Sequence, residues 1–160
     1  MGPVTLPVIG LVAASGAAVA GWQDLAAFSH AELDELGMAV LEMPHFRAKL
    51  PPMGFWPVGA LALVPALGWI LVIALWGVAR RLVAGLAAGA SLLVAILGLV
   101  AYFGIRRDFN VFSHDAFGTD SEISDLGNFL HPAVGVIAVI ALAITSALVG
   151  LRVCLSKSTS

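Results

Sequence analysis

Residues 56–105, WPVGALALVPALGWILVIALWGVARRLVAGLAAGASLLVAILGLVAYFGI, decide the fold class. Their only charges are Arg80 and Arg81, which divide the stretch into two apolar runs, 56–79 and 82–105. Each run is close to the ~20 apolar residues a helix needs to cross the hydrocarbon core of a bilayer. The arginine pair leaves so little chain for a turn that the two helices are expected to lie antiparallel and adjacent. Pro57 falls in a first helical turn, where its missing N–H costs nothing, and Pro65 falls mid-run, where a kink is expected. Trp56 and Trp76 stand near the two ends of the first run, at the depth of an interfacial aromatic belt.

Two further runs, 4–22 and 133–151, have the same character. The chain is 60% hydrophobic and 11% charged, with a mean hydropathy of +1.00. A soluble domain of this length carries about 25% charged residues, so a water-soluble fold is excluded on composition. The expected architecture is an all-α integral membrane protein with one domain over residues 1–160. It is a four-transmembrane-helix bundle with spans at about 4–22, 56–79, 82–105 and 133–151. Two longer loops, 23–55 and 106–131, share one side. Ala18-Val19-Ala20 before Gly21 resembles a signal-peptidase site. Residues 1–11 contain no base, however, so this run reads as a first membrane helix.

The spans are rich in small residues, which let helices approach closely where lipid supplies no hydrophobic force between them. Gly10, Ala13, Ala14, Gly16, Ala17 and Ala18 give the first run such a face. In the third, Gly85-Leu-Ala-Ala-Gly89 forms a GxxxG pattern, with Ala84 and Ala88 alongside. Gly85 and Gly89 are therefore candidates for close contact, within the bundle or with another subunit. The fourth helix is expected to begin at His131-Pro132, with His131 as its cap. Thr145 and Ser146 are expected to bond back onto their own helix.

Four crossings place both termini and Arg80-Arg81 on one side. Lysine and arginine divide evenly: Arg80, Arg81, Arg152 and Lys157 face one way, Arg47, Lys49, Arg106 and Arg107 the other. The terminal side concentrates its bases in short segments without a single acid, which predicts cytoplasmic termini in a plasma or bacterial inner membrane. The layout, four spans with a larger first outer loop, is similar to that of tetraspan and claudin-like proteins. The first loop lacks the paired cysteines of those families.

All ten acids and all four histidines fall in or beside the loops. Ser29-His-Ala-Glu32 has the form of a capping box, and Leu33, Leu36, Val40 and Met43 follow at helical spacing until Pro44. This predicts a short amphipathic helix over the mouth of the bundle. Ile123, Leu126, Phe129 and Leu130 suggest a second amphipathic turn. His30, His45, His114 and His131, with Met38, Met43 and Met53, share one side and are candidate metal ligands. Imidazole with thioether suits copper, and imidazole with carboxylate suits zinc. No two histidines stand at the i, i+3 or i+4 spacing of a preformed helical site, and the acids of the second loop do not match an EF-hand.

The spans hold no Asp, Glu, Lys, Arg or His, which argues against proton-coupled exchange. No Ser/His/Asp arrangement, phosphate-binding glycine loop or zinc-protease motif occurs, so no catalytic residue is assigned. A net charge of −2 without a basic run argues against nucleic acid. The single Cys154 excludes an intramolecular disulfide and reads as a small hydrophobe. The expected function is a non-catalytic accessory or structural subunit of a larger membrane complex. Its partners are the lipid bilayer and other membrane subunits, and no cofactor is required. The alternatives are a membrane-surface metal-binding protein or enzyme using the outer loops, and a carrier of a neutral or apolar ligand.

Overall fold

The computed structural model describes residues 4–22, 26–28, 56–118, 128 and 130–156. Nearly all of them lie in four helices: α1 (Thr5–Ala20), α2 (Trp56–Ala74), α3 (Gly77–Phe117) and α4 (Val134–Leu155). Two three-residue strands, β1 (Ala26–Phe28) and β2 (Leu130–Pro132), pair antiparallel, with Ala27 opposite His131. The amphipathic helix expected over 29–43 and most of the turn expected before the fourth helix lie outside the described residues.

Three helices, α2, α3 and α4, are long and apolar enough to cross a membrane. The apolar α1 is shorter, with 16 residues. At 1.5 Å per residue it measures about 24 Å, against roughly 30 Å for a hydrocarbon core.

The helices pack as a ring in which α1 touches α2, α2 touches α3, α3 touches α4, and α4 closes back on α1. Gly21, at the end of α1, lies against the backbone of Gly59 near the start of α2; a Cβ on Gly21 would sit 2.6 Å from Gly59 N. At the far end, Gly150 of α4 lies on α3, where a Cβ would meet Ala84 O and Ala88 Cβ at 2.8 Å. The β1–β2 ribbon ties the chain leaving α1 to the chain approaching α4. These contacts give the bundle a loop end and a terminal end.

The interior is built from small residues and the exterior from large ones. Ala17, Ala18, Ala62, Ala95 and Ala143 join Val58, Val94 and Val139 in one buried cluster. Ala14, Ala66, Ala84 and Ala87 surround Trp69 in a second. Leu67, Leu86, Ile96, Ile137 and Leu148 face outward, each at least half exposed. In water this would leave a very large apolar surface uncovered. In lipid it costs nothing, and close helix approach through Ala and Gly is what holds the bundle.

The helix boundaries correct several expectations. Arg80-Arg81 does not form the turn between the second and third helices; both residues lie inside α3. The break falls at Leu75-Trp76, and Gly77 adopts φ +63°, a conformation that only glycine takes cheaply. α3 does not stop near residue 105 but continues through 106–117, which composition assigned to a loop. Charge marks where a helix leaves an apolar environment; it does not end a helix. Gly118, at φ +79°, is the first residue after Ile105 that does so, its N–H returning to His114 O at 3.0 Å. The fourth helix does not begin at His131-Pro132. His131 lies in β2, and Ala133 is the N-cap. A residue before proline favours extended backbone, which here is spent on a strand. Pro65 remains inside a continuous α2.

Candidate functional site

Among the described residues, a buried polar layer crosses the middle of the bundle, and Trp69 organises it. Trp22, Trp56 and Trp76 are 57%, 62% and 85% exposed at helix ends, whereas Trp69 of α2 is fully buried. A buried indole brings a large apolar body and an N–H that needs an acceptor. The acceptor is Ser146 on α4: Trp69 Nε1–H donates to Ser146 Oγ at 2.8 Å. Ser146 in turn shares a hydrogen bond with Ser91 of α3, Oγ to Oγ at 2.8 Å. Both serines are buried. The indole fits because α1 offers Gly10, where a Cβ would overlap Cε2, Cζ2 and Cδ2 of the ring. One layer therefore joins all four helices through Gly10, Trp69, Ser91 and Ser146.

Ser146 was expected to bond only within its own helix. Thr145 does so, donating Oγ1–H to Ala141 O at 2.8 Å, but Ser146 points inward and bridges α2 to α3. The signal was present in the sequence: a tryptophan in mid-span, away from the interfacial belt, requires a polar partner at the same depth.

At the loop end, Tyr102 of α3 donates its hydroxyl to Leu130 O at 3.0 Å, and Arg106 donates to Asn128 Oδ1 at 3.2 Å. These bonds fasten the start of β2 to α3. Phe109 and Ser113 continue the buried stripe of α3, and Ser113 Oγ donates to Asn110 O at 2.9 Å. Arg107 and Asp108 approach to only 3.9 Å and are both well exposed, so this pair adds little.

The candidate metal ligands are only partly described. His114 is half-buried in the last turn of α3, and His131 is exposed on β2. His30 and His45 lie outside the described residues, as do Met38, Met43 and Met53. Among the described residues no three His, Cys, Asp or Glu side chains gather as a metal site.

The two GxxxG glycines have different surroundings. A Cβ on Gly85 would touch Cys154 Sγ at 3.5 Å, so Gly85 faces α4, whereas one on Gly89 would have nothing within 4 Å. The tightest α3–α4 contact is made by Ala84 and Ala88 on Gly150. Nearer the loop end, a groove of about 410 Å³ runs between α3 and α4, walled by Leu99, Tyr102, Ile137, Ile140, Ala141 and Ile144. It suits an apolar chain. Comparison with known protein families, curated proteins and solved structures found no match.

Proposed function

We propose that the protein is a four-span, non-catalytic accessory subunit that packs beside larger membrane proteins. In this reading α1 crosses the bilayer with α2–α4, the termini are cytoplasmic, and the loop end forms an outer cap. The single observation that carries it is the closure of the interior. The buried polar side chains of the bundle layer, Trp69, Ser91 and Ser146, satisfy one another. The remaining core around this layer is Ala and Val, and among the described residues it holds no buried charge to act on a substrate. What is left for function is surface. Gly89 supports the choice of partner, because it opens a gap on the outer face of α3 between Leu86 and Leu93, where a second helix can approach.

The test is co-purification after mild solubilisation from native membrane. The expected result is a defined set of membrane partners that is lost in Gly89→Leu while thermal stability is unchanged. A preparation that runs as a lone monomer, with no stoichiometric companion, overturns the reading.

A second reading is favoured by the α3–α4 groove: a carrier of an apolar ligand. A bound apolar molecule recovered by solvent extraction, and lost in Ala141→Trp, would select it over the first.

A further inference from the structure

We propose that the terminal end of the bundle holds one anionic phospholipid on the outer face of α4, its acyl chain along Leu148, Leu151 and Leu155 and its headgroup phosphate on Arg152. The inference rests on α3 and α4 crossing a bilayer, as in the function proposed above.

The four residues recur at i, i+3, i+4 and i+7 and so form one stripe on α4. They bound a shallow groove of about 480 Å³, with Ser156 at its open end. The three leucines are exposed, and Arg152 stands beside them in the last turn of the helix. Among the described residues Arg152 has no carboxylate partner. Asp108 and Asp115, the acidic side chains among the described residues, both lie in the later part of α3, toward the loop end.

Arg80 and Arg81 add to the same positive end. Gly85, one turn above Arg81, faces Cys154, which places the start of α3 beside the last turns of α4. Arg152 is thus exposed to a counter-anion from outside the chain, and the groove sets its chemistry. A guanidinium matches the fork of a phosphate. A stripe of exposed leucine requires a hydrocarbon tail on the same molecule. A soluble phosphate uses only the arginine. A zwitterionic lipid brings its own cation toward three arginines. A phospholipid with net negative charge uses both halves of the site.

The test is native mass spectrometry of the full chain, released from mild detergent after exposure to equal amounts of phosphatidylglycerol and phosphatidylcholine with matched acyl chains. The expected result is a single retained phosphatidylglycerol, favoured roughly fivefold or more, the contribution of one basic residue at an anionic surface. Arg152→Gln abolishes the preference, and Arg107→Gln, exposed at the opposite end, preserves it. Helicity by circular dichroism confirms that both variants are folded. Equal retention of the two lipids, an unchanged preference in Arg152→Gln, or displacement of the lipid by excess inorganic phosphate each overturns the site. Equal retention would leave the accessory-subunit reading standing, since its own test is partner co-purification.

Discussion

Ser146→Ala removes one oxygen from the layer where all four helices meet, and its effect follows from the geometry. The hydroxyl serves two partners, Trp69 Nε1 and Ser91 Oγ, each at 2.8 Å. Interhelical hydrogen bonds within membranes contribute about 0.6 kcal/mol on average and about 1.7 at most. Two such bonds give roughly 1–3 kcal/mol. The upper half of that range applies when the buried indole N–H is left without an acceptor. Thr145→Ala, one residue away, breaks only an exposed bond within α4 and should stay within about 0.5 kcal/mol of the parent. The assay is reversible unfolding in mixed micelles with increasing dodecyl sulfate, followed by helical circular dichroism. A double-mutant cycle with Trp69→Phe isolates the Trp–Ser bond. Its coupling energy should be about 0.6–1.7 kcal/mol. If Ser146→Ala costs no more than Thr145→Ala, or the coupling lies within about 0.3 kcal/mol of zero, the layer does not hold the helices together.

Gly10→Ala places a methyl group in the indole ring and should cost about 1–3 kcal/mol by overpacking, with part recovered on adding Trp69→Phe; the same unfolding assay reads both. Gly77→Ala meets no atom within 4 Å, so its cost of about 1–2 kcal/mol should be purely conformational and unaffected by any second substitution in α4. Tyr102→Phe frees Leu130 O, and should cost about 0.5–1.5 kcal/mol. Hydrogen exchange should rise at the β1 and β2 amides and not in the helices. Gly21→Ala presses on the Gly59 backbone, which yields less readily than a side chain; it should destabilise the α1–α2 contact more than Gly16→Ala, which meets only Leu142 at 3.0 Å.

Helical class and the adjacency of α2 and α3 were legible in the sequence, because apolar runs of membrane length separated by a short break admit few alternatives; that α4 closes back on α1 was not. The boundaries were not. Charge points to Arg80-Arg81 as the α2–α3 break, yet the backbone needs a residue tolerant of positive φ, and Gly77 supplies it. The reach of α3 to Phe117 is hidden in the same way, since polarity along 106–117 resembles a loop although nothing before Gly118 stops a helix. The ribbon was illegible: three residues on each side carry no periodicity, and the pairing joins segments from opposite ends of the chain. The buried layer stood between these cases. Trp69 announced a need for a partner, but which of the hydroxyls in later spans lay at its depth depended on helix register.

The ribbon also sets an order of events during synthesis. Ala26–Phe28 emerges early, but its partner Leu130–Pro132 is made only when α4 is about to follow. Until then β1 presents unpaired backbone groups, and α1 has no α4 against which to rest. Non-local pairings of this kind form late and leave exposed edges while they wait. Closure of the ring thus waits for the last helix: a chain cut short before residue 130 would leave β1 without its partner strand and α1 without its contact to α4.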